Sequence, residues 1–296
     1  MEIRELRSLL ELAELGSLVK AAEKLHLTSP AIHKHLKLLE EELGVQLYER
    51  AGRNLRLTPA AHVLLPRIRN MLIEYDAAIQ ELEELKGLRR GLVRIGAGPT
   101  FSSYVLPRLL EEFRGVRPEV ELFVETGHTS QLLDDLSKGA LDLAIIVSST
   151  LAAEGEFDVR REWEFDFVLA GPPGQLPRRC ALSRLQGQPF ILYRKGSVME
   201  NHVARFFATH HFHPRVVMRL DNAEAIKAMV KSQLGVSLLP FWTVAREIRE
   251  RTLSLTRLIS PPAPGRLILV TRKAGYLPHS VEAFIEVAQK WQWRSM

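Results

Sequence analysis

Ser29, Pro30, His33, Lys34 and Lys37 recur at helical spacing, and on a helix they lie off the apolar face made by Ile32, Leu36, Leu39 and Leu43, with Ser29 at its edge. That outer face is small and polar at its N-terminal end and basic beyond it. A helix that enters a DNA major groove needs this arrangement, with donors for base edges and cations for phosphates. Glu40-Glu41-Glu42 follow at the far end, away from where phosphates would lie. A solvated helix surface has the same pattern, so the helix alone leaves both readings open. The next segment tips the balance. Val45–Arg50 and Asn54–Thr58 alternate around Ala51-Gly52-Arg53, which predicts a small β-hairpin, or wing, with Arg50, Arg53 and Arg56 at or near its tip. Three arginines beside a basic helix suit flanking phosphates and the minor groove.

Other arrangements of reactive residues lead nowhere. Gly96-Ala97-Gly98 is followed by Pro99-Thr100-Phe101, which completes no dinucleotide-binding glycine pattern, and there is no P-loop or Gly-x-Ser-x-Gly elbow. His210-His211-Phe212-His213 has no cysteine or carboxylate cluster at ligand spacing, and histidines at a helix C-terminus account for it better than a metal. Cys180 follows Arg178 and Arg179, which would lower its pKa if it were exposed; a redox sensor and an incidental loop cysteine both fit. Trp242, Trp291 and Trp293 read as packing residues. No catalytic residue, metal or cofactor is expected, and the chain does not read as an enzyme.

The elements that must position these residues are legible in the spacing. Ile3, Leu6, Leu10 and Ala13 predict a helix that Gly16 closes, and Ser17 caps a second helix through Leu25. After His26-Leu27-Thr28, Ser29 offers a cap with Pro30 at the first helical position, and Gly44 stops this third helix, completing a helix-turn-helix unit. A long helix then opens at Pro59 or Ala60. Its residues Ile68, Leu72, Tyr75, Ile79 and Leu82 form an a/d seam, expected to dimerise the chain, while Pro66 should bend the helix. From Leu92 the texture becomes strand–helix alternation. Strands are expected at Leu92–Gly96, Val120–Glu125 and Leu141–Val147, with helices at Ser103–Arg114 and Ser130–Lys138. A second set runs Phe167–Ala170, Phe190–Tyr193, a helix near Val198–His211, Val216–Leu220, a helix Ala223–Ser232 and Val236–Leu239. After Pro261-Pro262-Ala263-Pro264 come Leu267–Thr271 and a closing helix, His279–Trp293. Two α/β lobes with a cleft between them follow from this order.

The 296 residues suit about two domains at roughly 150 residues each. Hydrophobic residues at 46% and charged residues at 25% exclude wholesale disorder, and no apolar run is long enough for a membrane span. Met1–Glu5 has no secretory h-region and Cys180 has no partner for a disulfide, which together predict a soluble cytoplasmic protein. The net charge of +5 does not itself indicate DNA binding. Residues 1–90 hold 14 Lys and Arg against 14 Asp and Glu, so the excess lies in the rest of the chain.

Over essentially its whole length the sequence resembles the LysR-type transcriptional regulators. The resemblance runs from Gly16-Ser17-Leu18-Val19-Lys20-Ala21-Ala22 and Leu25 through Leu39-Glu40-Glu41-Glu42-Leu43-Gly44-Val45-Gln46-Leu47-Tyr48-Glu49-Arg50 to Leu57-Thr58-Pro59-Ala60. It resumes at Leu106-Pro107, Phe113, Pro118, Gly139-Ala140-Leu141-Asp142-Leu143-Ala144-Ile145 and Gly235-Val236-Ser237-Leu238-Leu239-Pro240. Ser29 stands where the family often has glutamine and His33 where it has serine, so the base-reading face departs from its relatives. Tyr48 replaces a usual phenylalanine and Ala61 a usual glycine.

The resemblance implies a winged helix-turn-helix (1–58), a linker and dimerisation helix (59–87) and a two-lobed, periplasmic-binding-protein-like α/β effector domain (88–296). Lobe I would span about 91–164 and 265–296, and lobe II about 165–264. It further implies a homodimer through the linker helix, a homotetramer, an operator in double-stranded DNA, contact with RNA polymerase and a small effector bound between the lobes. The effector positions that match are Thr100, Phe101, Ser102, Thr129, Ser130, Ser148, Lys195 and Ser197. Hydroxyls and N–H groups at helix N-termini favour an anion there, a carboxylate or similar group, although ordinary helix caps look alike. A solute-binding protein with an incidental helical segment is the competing class, and the complete winged helix weighs against it.

Overall fold

A computed structural model describes residues 1–51, 54–85, 91–147, 157–273 and 277–292, and of residues 50, 51, 54, 80 and 83–85 only the backbone. The chain divides into two compact units that change over between residues 89 and 90.

The first unit contains α1 (Ile3–Leu15), α2 (Leu18–Lys24), α3 (Ser29–Leu43), an antiparallel hairpin of β1 (Tyr48–Ala51) and β2 (Asn54–Leu57), and α4 (Pro59–Leu85). Gly16 ends α1 in the left-handed region at φ 61°, and Ser17 caps α2 by accepting the Lys20 N–H at 3.4 Å. The cap of α3 lies one residue earlier than expected. Thr28, not Ser29, accepts the Ala31 N–H at 3.4 Å, and Pro30 sits in the first turn, where its missing N–H leaves no bond unmade. Two adjacent hydroxyl residues both qualify as caps, and the spacing could not separate them.

One core joins Leu6, Leu9 and Leu12 of α1 with Ala22 of α2, Ile32, Leu36 and Leu39 of α3, and Ala61, Leu65, Ile68 and Leu72 of α4. Leu43, expected on the buried face, is 37% exposed, because the chain reverses at Gly44 and fully buried Leu47 takes the core position. α4 is unbroken through Pro66, and it changes character along its length. Ile68 and Leu72 are buried within this unit, whereas Tyr75, Ile79 and Leu82 are at least 40% exposed.

The second unit contains two lobes. The first follows β3 (Leu92–Ala97), α5 (Pro99–Tyr104), α6 (Leu106–Val116), β4 (Glu121–Thr126), α7 (Thr129–Ser137), β5 (Leu143–Val147) and β6 (Phe157–Phe165). The second follows β7 (Phe167–Gly171), β8 (Arg179–Cys180), β9 (Pro189–Tyr193), α8 (Val198–Thr209), β10 (Arg215–Leu220), α9 (Ala223–Lys231), β11 (Ser237–Pro240), α10 (Phe241–Arg249) and β12 (Ser254–Leu258). The chain then returns to the first lobe through β13 (Gly265–Arg272) and α11 (His279–Lys290). The first lobe's sheet has the order β4-β3-β5-β13-β6, parallel among β3, β4 and β5 and antiparallel at β13. The second lobe combines β11-β7-β12-β8 with the parallel pair β9 and β10, and a bridge from Phe190 to Val236 joins them. At that junction a Cβ on Gly235 would lie 2.5 Å from the Pro189 carbonyl oxygen, so only glycine fits.

The single helix expected over Ser103–Arg114 is two. Pro107 cannot donate to the Ser103 carbonyl and its ring would strike it, so the chain breaks at Val105 between α5 and α6. Asp142 explains the buried acid in its motif. Its Oδ2 accepts the Arg94 N–H at 2.7 Å, tying the start of β5 to β3. Burial pushes the Asp142 carboxyl above the usual range, against the opposing pull of the Arg94 N–H and guanidinium. A raised folded pKa means protonation favours the fold, so stability from this group declines as pH rises through that pKa. Asp142→Asn is expected to keep the bond and unfold within about 1 kcal/mol of the parent, while Asp142→Ala strands the buried N–H and loses about 1–3 kcal/mol by denaturant titration.

Candidate DNA-binding and effector sites

The outer face of α3 is open. Pro30, His33, Lys34 and Lys37 are exposed and Ser29 is half-buried. Lys34 makes no ion pair among the described residues. Lys37 is held 3.6 Å from Glu41 one turn on, an exposed pair that a phosphate would displace at little cost. The His33 ring stands edge-on to Tyr48 of β1, with centroids 6.3 Å apart and planes at 81°. α3 and the hairpin therefore meet through the rings of His33 and Tyr48. On the wing Arg56 is exposed in β2, directly across from Glu49. Arg50 pairs with Leu55 in the hairpin register, and Arg53 lies outside the described residues.

Two further residues position α3, and neither stands out by spacing. Buried Ser8 of α1 bonds its hydroxyl to His35 Nδ1 at 2.8 Å and to the Arg4 carbonyl at 2.9 Å, fixing the roll of α3 against α1. Glu40 is not simply an acid kept away from DNA. Its Oε1 accepts the Leu47 N–H at 2.7 Å and the Tyr48 N–H at 3.4 Å, binding the end of α3 to the start of the wing. Its place beside the core stripe, next to Leu39, is the one signal in the sequence that could have flagged it.

In the second unit the first turns of α5 and α7 hang from the carboxyl ends of neighbouring strands. The Gly98 N–H reaches the Ile145 carbonyl at 3.4 Å, and the Gly127 N–H reaches the Ala97 carbonyl at 3.3 Å. These bonds bring Thr100 and Ser102 of α5 to the same sheet edge as Thr129 and Ser130 of α7. The Thr126 hydroxyl, ending β4, donates to Ser102 Oγ at 3.4 Å. No side chain caps either helix, because the cap positions are Gly98 and His128. Thr100, Ser102 and Thr129 are half-buried and Ser130 is exposed, while Phe101 is buried at 2% exposure.

The second lobe differs. Ser197 caps α8 by accepting the Glu200 N–H at 3.1 Å, and Asn222 caps α9 by accepting the Ala225 N–H at 2.8 Å. Arg219 occupies that region, bonding the Tyr193 carbonyl at 3.2 Å and Glu200 Oε1 at 3.1 Å. Lys195 is exposed, and Ser148 lies outside the described residues. Cys180 is buried at 4% exposure in β8, and burial pushes its thiol up against the weaker pull of Arg184. The depressed thiol expected for an exposed cysteine beside Arg178 and Arg179 is thus absent. Among the described residues no group of three or more His, Cys, Asp or Glu is placed to hold a metal, and no helix is long and apolar enough to cross a membrane.

Comparison with known proteins agrees with both halves of this geometry. Residues 3–62 match the bacterial regulatory helix-turn-helix protein, lysR family, and residues 86–293 match the LysR substrate binding domain. The chain is 31% identical over 273 residues to the HTH-type transcriptional regulator CfxR of Cupriavidus necator, covering 88% of this chain and 83% of that one. It is 29% identical over 288 residues to the RuBisCO operon transcriptional regulator of Allochromatium vinosum, covering 97% and 95%. A full-length OxyR variant from Pseudomonas aeruginosa has the same fold, with a TM-score of 0.72 at 24% identity, covering 97% of this chain and 94% of that one. The chain belongs to the LysR family: it is a DNA-binding transcriptional regulator that joins a helix-turn-helix domain to a substrate-binding effector domain.

Proposed function

We propose that this regulator binds paired operator half-sites as a dimer joined along the exposed half of α4, and that a small organic or inorganic anion between the lobes of its effector domain sets how it holds the DNA. Ser29, Pro30, His33, Lys34 and Lys37 read and position the major groove. Arg50, Arg53 and Arg56 take the flanking phosphates. Two dimers assemble into the tetramer that meets RNA polymerase. The working segments are residues 1–58 for DNA, 59–87 for dimerisation and 88–296 for the effector.

The contrast in helix capping carries the anion reading. The first turns of α8 and α9 are closed by their own Ser197 and Asn222, whereas those of α5 and α7 have no side-chain cap and display Thr100, Ser102, Thr129 and Ser130 at one sheet edge. Hydroxyl donors and N–H groups pointing out of a sheet's carboxyl edge favour a negative group. Ser197 and Lys195 line the opposite lobe, and Ser148 follows β5. A ligand that prefers one lobe arrangement shifts the DNA-bound geometry by no more than its difference in affinity for the two.

Thermal unfolding of the full chain against aromatic and aliphatic carboxylates, amino acids, sulfate, phosphate and molybdate tests this. Phosphate esters join the panel because the Allochromatium relative is named for a RuBisCO operon. A true ligand at about 100 times its Kd adds roughly 2.7 kcal/mol, a rise of several degrees. The rise is expected for one class only, and to vanish in Thr100→Ala and Ser130→Ala. A panel with no selective rise overturns the anion reading and leaves DNA binding in place.

A further inference from the structure

The second unit contains a buried cation whose surroundings cross from one lobe to the other. Lys227 of α9 is 3% exposed. Its Nζ lies 2.7 Å from Glu247 Oε1 on α10 and 2.8 Å from Glu224 Oε1, and Lys231 approaches the same Glu247 oxygen at 3.4 Å. All four residues belong to the second lobe. The Nζ also stands 4.8 Å from the ring centroid of Tyr104, the last residue of α5 in the first lobe, and α10 also packs against α5.

A buried ammonium is costly unless it is paired, and Glu247 and Glu224 supply partners within the second lobe. That pairing does not account for the ring of the first lobe on the remaining side: the charge is held from one side by carboxylates and presented on the other to an aromatic face. A ring face attracts a desolvated cation, and the attraction falls away once the two separate, so it reports on how the lobes sit. Among the described residues the Tyr104 hydroxyl is buried with no hydrogen-bond partner, and it is the ring that lies under Lys227.

We propose that Lys227, fixed by Glu247 and Glu224, clasps the Tyr104 ring and is the positioning residue that holds the two lobes in one relative arrangement. The clasp needs no ligand. It sits at the opposite end of the six-residue α5 from Thr100, so a ligand on the first turn of α5 pulls on a helix already anchored to the second lobe. That last consequence rests on the anion reading; the clasp itself does not.

The test is a distance between lobes in the full chain without ligand. Spin labels are placed at Glu112→Cys on α6 and Arg205→Cys on α8, both exposed, in a Cys180→Ala background, with labelled subunits diluted into unlabelled ones. The parent should give one narrow distance distribution. Tyr104→Phe keeps the ring and should reproduce it. Tyr104→Leu is apolar but smaller and has no π face, and should broaden or shift the distribution, lowering the ratio of clasped to unclasped chains about 2- to 30-fold. Thermal unfolding of the same variants serves as a control, since a purely structural role would lower the midpoint and leave the distance alone. A Tyr104→Leu distribution equal to the parent's overturns the proposal. So does a Tyr104→Phe distribution as broad as that of Tyr104→Leu, which would give the role to the hydroxyl.

Discussion

If the chain dimerises along α4 as proposed, replacing Ile79 and Leu82 together by aspartate is expected to split that dimer and to weaken binding to a two-half-site duplex by at least 100-fold. Each side chain is at least 40% exposed on α4 despite lying on the same seam as buried Ile68 and Leu72. Burying such a side chain contributes about 1.5–3 kcal/mol, and a symmetric dimer buries each twice. Aspartate removes that gain and adds like charges across the seam. The fold of the first unit should survive, because its core ends at Leu72. Mass photometry at nanomolar concentration reads the oligomer directly, and binding to a single half-site should change little. A variant that stays dimeric, or loses single-half-site binding equally, would place the interface elsewhere.

The second large effect belongs to the outer face of α3. Lys34→Gln should weaken operator binding and lower the slope of log K against log salt by about 0.9 for each phosphate that Lys34 neutralises, about 1.8 per dimer. His33→Ala should act differently. A base contact contributes about 1–3 kcal/mol, so removing it from both subunits predicts a fall of about 30-fold or more on the preferred sequence, with a nearly unchanged salt slope. The His33 ring meets Tyr48 edge-on, so Tyr48→Phe, which preserves the ring, should leave affinity within a few-fold. An unchanged slope in Lys34→Gln would remove its phosphate contact, and equal losses on specific and random duplexes would remove base reading from His33.

Much of this architecture is legible in the sequence because its signals are local. Gly16, Ser17, Gly44 and the apolar spacing of α1 to α3 follow from caps and 3.6-residue periodicity, and the three helices stand where these signals put them except that α3 is capped one residue early, by Thr28. The parallel strands β3, β4 and β5 are visible as apolar runs between helices. What escapes has non-local causes. β6 (Phe157–Phe165) reads as a charged stretch, Asp158-Val159-Arg160-Arg161-Glu162, and becomes a strand by pairing with β13 about 100 residues away. α10 begins immediately after β11, where Pro240 looks like the end of an element. At the sites, residue type is enough to find the hydroxyls of α5 and α7. It is not enough to know that Ser197 uses its oxygen as a helix cap, or that His33 meets Tyr48. The Lys227–Glu247–Tyr104 cluster joins the consecutive helices α9 and α10 to α5, far earlier in the sequence, and no spacing rule connects them.

Selection of bound duplexes from a randomised pool by the full-length chain tests the central claim, sequence-specific binding by the α3 face and wing, and it requires no operator to be chosen beforehand. The expected result is an enriched pair of inverted half-sites, whose base preferences change when His33 is replaced by serine and persist when Tyr48 is replaced by phenylalanine. A pool that stays unenriched, or an enriched sequence unaltered by any substitution at Ser29, His33 or Lys34, would contradict it.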